Sequence, residues 1–184
     1  VTGVQTCSLP IFNYSSGGRL ENFDSENLIF STGDFDPYSD NIPYSQQDDD
    51  LRGKILKINK LNGKYEILSK GHRNPEGLFY DKSNKIIFSS DHGPKNGDEI
   101  NAQKLEDYKI YNFGWPISSY GKHYDVNDRK KISIFKSSNI EDDRFKIDVK
   151  YKKQPLYKSH SQKGFIEPIV VWKNQSIAPT QILS

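Results

Sequence analysis

An all-β fold is what this sequence of 184 residues predicts, on three observations. Its apolar segments are short and alternate with period two, turn-forming residues bound them, and one of them returns in a second copy. Taken in order, NLIFSTG from Asn27, GKILKINK from Gly53, KYEILSKG from Lys64, GLFYD from Gly77 and KIIFSSD from Lys85 are rich in β-branched and aromatic residues. Gly, Asn, Asp or Pro closes each of them, so each reads as a strand. KLNG at 60–63 joins two of these runs, and Asn-Gly there favours a tight hairpin because both residues tolerate positive φ. Helical periodicity is weak throughout, and its best candidate is a short turn around NAQKLEDYK at 101–109.

The echo sharpens the fold class. FDSENLIFSTGD from Phe23 and YDKSNKIIFSSD from Tyr80 share an aromatic-Asp start, a central Asn, a Phe-Ser strand and a terminal Asp, 57 residues apart. That spacing exceeds the ~40–50 residues of common propeller blades and fits a four-stranded blade with long loops. Roughly three blades are expected, too few to close a ring, so the chain reads as a fragment with two open sheet faces.

Composition bounds the function. Lys plus Arg number 26 against 24 Asp plus Glu, a net charge of +2, and the signs are interspersed. No field of one sign recommends nucleic acid or an anionic membrane as partner. Mean hydropathy is −0.79, yet 11 Tyr, 10 Phe and 2 Trp supply the aromatic area of a folded core. No apolar run approaches the roughly 18 residues of a membrane span. The opening VTGVQTCSLPIF differs in texture from the Lys-, Asn- and Ile-rich remainder and resembles translated adapter sequence. Residues 1–12 are therefore set aside as a non-native leader, and 13–184 are taken as one partial propeller domain. Cys7 falls in that leader, leaving no thiol for a disulfide or a metal. Absence of Met and the abrupt SIAPTQILS end fit a piece of a longer chain. From Lys122 to Lys163 the texture turns charge-dense, which reads as a long solvated connection with one hairpin, KISIF to FKIDVKY.

Two loops carry the chemistry. In GHRNPEG, Pro75 pushes Asn74 toward extended geometry and presents Arg73 and Asn74 at a strand entrance. A guanidinium fork suits a carboxylate or quinone oxygen, and equally a loop-closing role on backbone carbonyls. In DHGPKNGDE, Gly93 permits close backbone approach, and the Gly93 and Pro94 carbonyls suit a hard cation such as calcium or simply a turn. His72 and His92 lack a third nitrogen or thiol partner for zinc. His123 and His160, inside the charged connection, read as surface residues.

GHRNPEGLFYD, DHGPKNGDEIN and NFGWPISSYGKHY, in that order and spacing, resemble the glucose/sorbosone dehydrogenase family, soluble enzymes that use pyrroloquinoline quinone. The resemblance runs from about Gly17, through GGRL and GKILKI, to EPIVVWKNQSIAPTQI, where the family begins its next blade. It implies a six-bladed β-propeller with the quinone over the central channel, calcium beside it, and export to the periplasm or beyond. It further implies a sugar oxidised at its anomeric carbon by hydride transfer, with a separate electron acceptor to re-oxidise the cofactor. Residue by residue, Arg73 and Asn74 match the family's cofactor-contacting pair, with Arg73 stabilising charge on the quinone. Gly93 and Pro94 match its carbonyl ligands to calcium, Asp98 and Glu99 brace that loop, and Trp115-Pro116 matches a packing corner. Two positions depart from the pattern. Ser15 stands where the family has its base histidine, four residues before Arg19, and Phe113 stands where Tyr is usual. The alternative implied is a propeller that keeps the scaffold as a binding module without catalysis. The fragment alone is expected to be inactive.

Overall fold

The structure, a computed structural model, describes residues 15–35, 43–94, 96–106, 109–122 and 157–182. Nine strands are formed by them: β1 Gly17–Asn22, β2 Asn27–Thr32, β3 Lys54–Asn59, β4 Tyr65–Lys70, β5 Pro75–Asp81, β6 Ile86–Asp91, β7 Asp98–Lys104, β8 Tyr111–Asn112 and β9 Val170–Trp172. They make two sheets, β1-β2-β3-β4-β8 and β5-β6-β7-β9. Within each, the first four strands are antiparallel neighbours, while β8 adds to β4 in parallel. This is the all-β blade construction of a propeller.

Each half of the echo turns out to be one hairpin turn followed by the second strand of a blade. Asp24 Oδ1 accepts the backbone N–H groups of Glu26 and Asn27 at 2.8 and 2.7 Å. Asp81 Oδ1 accepts those of Ser83 and Asn84, both at 3.0 Å. An aspartate that closes its own turn needs no glycine there. The aromatic residues preceding the two aspartates, Phe23 and Tyr80, stack across the blades with centroids 4.5 Å apart. Beside them Ile29, Ile55, Leu68, Leu78 and Ile87 form the buried core between the sheets. Each contributes about 1.5–3 kcal/mol by leaving water.

One contact of the first sheet is repeated on the second. Ser31 Oγ donates to the Pro75 carbonyl at 2.7 Å, and Ser90 Oγ donates to the Pro179 carbonyl at 3.0 Å. Pro179 thus sits on the second sheet as Pro75 sits on the first. Val170–Trp172, expected to open the next blade, instead forms the outer strand of the second sheet.

Two local expectations are corrected. Residues 101–104, read as part of a helical turn, belong to β7, because Ile86 to Asp91 pair with Lys104 to Glu99 along the whole strand. Alternation of Ile100 and Ala102 with Asn101 and Gln103 fits that pleat. In the β3–β4 turn only Gly63 of the Asn-Gly pair takes positive φ, 70°. Asn59 Oδ1 organises this loop by accepting Leu61 and Asn62 N–H at 3.0 and 3.1 Å. The hairpin expected within 122–163, and His123, lie outside the described residues.

Candidate functional site

Because β5 and β6 are antiparallel with Pro75 opposite Asp91, the Arg73-Asn74 pair that enters β5 and the His92-Gly93-Pro94 loop that leaves β6 emerge side by side. Arg73 Nη1 donates to the carbonyls of His92 at 3.1 Å and Gly93 at 2.8 Å. Its guanidinium lies 5.5 Å from the Trp115 ring. The loop-closing role and the rim position are therefore both present in one side chain. Nε and Nη2 make no hydrogen bond among the described residues.

Asp91, 5% exposed, is the organiser. Its Oδ1 accepts the Asn74 N–H at 2.6 Å, and its Oδ2 accepts the Arg73 N–H at 3.1 Å and lies 3.3 Å from His72 Nδ1. Ser69 Oγ is 2.8 Å from His72 Nε2 on the other side of that fully buried ring, and Phe113 packs against it at 4.9 Å. Asn74 spends its amide on the scaffold. Oδ1 accepts the Gly17 N–H of the neighbouring blade at 2.9 Å, and Nδ2 donates to Glu76 Oε1 at 2.9 Å with His92 Nδ1 at 3.3 Å.

Gly93 needs to be glycine: an added Cβ would lie 2.3 Å from the Asn96 carbonyl oxygen and 2.5 Å from that of Gly97. Asp98, 2% exposed, braces this loop as expected. Its Oδ1 accepts the Gly93 N–H at 3.0 Å, and its Oδ2 accepts Ile177 and Ala178 N–H at 2.7 and 2.9 Å. Glu99 does something else. Its Oε1 meets His160 Nε2 at 3.1 Å, and burial pushes its carboxyl above the ordinary value against the opposing pull of that histidine.

His160 is the correction at this site. Its position in a charge-dense stretch read as surface, but it is 2% exposed. Ser118 Oγ lies 2.5 Å from its Nδ1 and the Tyr120 ring meets it edge-on at 5.4 Å. Gly114, at φ 88°, makes room, since a Cβ there would stand 2.2 Å from Ser118 Oγ and 2.7 Å from His160 Nδ1. The signal available in the sequence was the aromatic, glycine-rich NFGWPISSYG, whose tight corner needs a partner. Its Trp115-Pro116 peptide is cis, and Trp115 Nε1 donates to Asp34 Oδ2 at 2.6 Å.

These groups line one narrow cleft of about 10 Å³, with Arg73, Asp91, His92, Gly93, Glu99, Trp115, Ser118 and His160 among its walls. Ser15, at the family's base position, is not among the wall residues, and its carbonyl accepts the Phe35 N–H at 3.3 Å.

As to what the cleft would hold, free guanidinium donors fit an anionic or carbonyl-bearing cofactor. Main-chain carbonyls such as those of Gly93 and Pro94 are of the kind calcium takes, and that of Gly93 already accepts Arg73 Nη1 at 2.8 Å. Among the described residues no group of three or more His, Cys, Asp or Glu is placed to hold a metal, so the rest of that shell would be non-protein oxygens or other residues. No helix is long and apolar enough to cross a membrane among the described residues.

The family model for glucose / sorbosone dehydrogenase matches residues 11–142. Aldose sugar dehydrogenase YliI of Escherichia coli is 31% identical over 122 residues, covering 59% of this chain and 30% of that protein. Quinoprotein glucose dehydrogenase B of Acinetobacter calcoaceticus is 36% identical over 75 residues, 35% of this chain and 15% of that one. The crystal structure of the soluble aldose sugar dehydrogenase from Escherichia coli in its apo form superposes with a TM-score of 0.53 at 26% identity, over 85% of this chain and 40% of that one. The chain thus spans less than half the length of the proteins it matches.

Proposed function

Because the chain belongs to the glucose/sorbosone dehydrogenase family, we propose that it is part of a sugar oxidoreductase that oxidises an aldose at the anomeric carbon, with pyrroloquinoline quinone as cofactor and calcium beside it. The observation that carries this reading is the meeting of Arg73 with the Gly93 carbonyl, 2.8 Å apart, at one cleft. When bound, the quinone supplies the hydride acceptor and calcium a Lewis acid next to it. Arg73 would hold an oxygen of the acceptor, its own position set by two carbonyls and the Trp115 ring. A fixed positive charge of this kind stabilises negative charge that grows during reaction without reorganising. Gly93 and Pro94 present carbonyl oxygens to the cation, and Asp98 keeps them in place. Asp91 holds the backbone N–H groups of Arg73 and Asn74.

Export to the periplasm and a separate electron acceptor belong to the same reading. Ser15 favours a second one, a propeller that binds without turning over, since a serine hydroxyl does not accept a proton near neutral pH without a base of its own. The protein carrying this chain is loaded with quinone and calcium, and dye reduction is followed with a panel of aldoses. Sugar-dependent reduction is expected, whereas tight cofactor binding with no sugar-dependent signal would establish the second reading.

A further inference from the structure

Which group takes the proton from the sugar is left open by Ser15, and the cleft offers an answer that rests on the dehydrogenase reading. We propose that His160, held by Glu99 and reached through Ser118, is the proton acceptor of this cleft. The tautomer follows from the partners. Glu99 accepts a hydrogen bond from Nε2–H at 3.1 Å, so the basic lone pair is on Nδ1, where the Ser118 hydroxyl donates at 2.5 Å. A hydroxyl seated in the cleft gives its proton to Ser118 Oγ, directly or across one water, as the Ser118 proton passes to Nδ1. One O–H bond breaks and one N–H bond forms; the sugar is left as its alkoxide and the imidazolium faces the Glu99 carboxylate. A carboxylate behind an imidazole fixes its orientation and stabilises the charge it acquires.

The other cleft groups are spent. Arg73 is a permanent cation. Asp91 accepts two backbone N–H groups and meets His72. His92 receives the Asn74 amide on Nδ1, so its Nε2–H donates to the Pro179 carbonyl at 2.9 Å. His72 is enclosed between Ser69 and Asp91.

The groups facing His160 are Glu99 from β7, Ser118 and Tyr120 from the Trp115 corner, and Arg73, Asp91 and His92 along the cleft. Behind Tyr120 stand Glu167, whose Oε2 accepts its hydroxyl at 2.5 Å, and Lys173 Nζ, 4.6 Å from its ring. Burial and Glu167 push Tyr120 up to about 12. Glu167 is raised by burial but brought down to about 2 by the hydrogen bonds of Tyr120, Ser159 and the Ser161 N–H. Neither changes protonation near neutral pH.

The test combines kinetics of the quinone-loaded holoenzyme with nitrogen NMR of His160 in the unloaded protein. His160→Gln is expected to lower kcat by about 100-fold with KM and quinone affinity unchanged, and to abolish the acidic limb of the pH–rate profile. Glu99→Gln, lacking the carboxylate that favours imidazolium, is expected to move that limb to lower pH. NMR is expected to show a proton on Nε2 and none on Nδ1. A structural role alone would lower stability in both variants and leave the limb in place, overturning the proposal, and so would an Nδ1–H tautomer whatever the activity. Wild-type protein that binds quinone but oxidises no aldose removes the dehydrogenase reading itself.

Discussion

Asp34 and Asp91 end the same sequence motif in two successive blades and do different work. Asp34 joins the corner that follows β8, accepting the Trp115 indole N–H at 2.6 Å among its contacts, and its own N–H goes to the Arg73 carbonyl at 2.8 Å. Asp91 takes the backbone N–H groups of Arg73 and Asn74 together with His72. On either side of Asp34 the chain runs against Ser15 and Ser16, with Gly33 N–H donating to the Ser16 carbonyl at 2.8 Å and Phe35 N–H to the Ser15 carbonyl at 3.3 Å. Past Asp91 it opens into the His92-Gly93-Pro94 loop and the cleft. Repetition supplies the hairpin and the strand, and the partners met at the strand's end decide which copy carries a site.

The largest effect is expected from Asp91. Asp91→Ala removes the acceptor of the Arg73 and Asn74 N–H groups and should cost about 3–5 kcal/mol, read by urea denaturation. A loss under about 1 kcal/mol would mean that this carboxylate does not organise the loop. Next comes the loop itself: Gly93→Ala forces a Cβ to 2.3 Å from the Asn96 carbonyl. It should cost about 2 kcal/mol and weaken calcium binding, measured by calorimetry. Unchanged calcium affinity would detach the cation from this loop.

Smaller effects test the scaffold. Asp24 and Asp81 lie below the ordinary carboxyl value of 3.8, held there first by the Asn27 and Asn84 side chains respectively. A lowered folded value means stability present above pH 3.8 and lost as pH falls through it, so both turns should weaken together in acid. Alanine at either position should lower Tm by the same small amount. Smallest is Gln103→Leu. Asn101 and Gln103 carry buried amides with no hydrogen-bond partner among the described residues, so the leucine should be neutral or stabilise by up to about 1 kcal/mol.

How much of this was legible in the sequence differs between scaffold and site. Alternation marked β2 to β6 because apolar residues face the core on one side of each strand. It missed β7, where Glu99, Asn101 and Gln103 put polar groups on the buried face, and the amphipathic pattern that identifies a strand is inverted. Arg73 and Gly93 were legible as local motifs, and their meeting depends on the antiparallel register of β5 and β6, which no local stretch carries. His160 was hidden for a different reason: its partners, Glu99 and Ser118, are 61 and 42 residues away. Charge density around it signalled solvent, while burial there goes with the Glu99 contact and a glycine corner.

Titrating the protein that carries this chain with pyrroloquinoline quinone in the presence of calcium, and following the cofactor's absorbance, tests the shared cleft most directly. Saturable binding is expected, weakened at least 10-fold by Arg73→Gln, about 1.4 kcal/mol. Identical binding curves for the wild type and the variant would contradict the placement of the cofactor at Arg73.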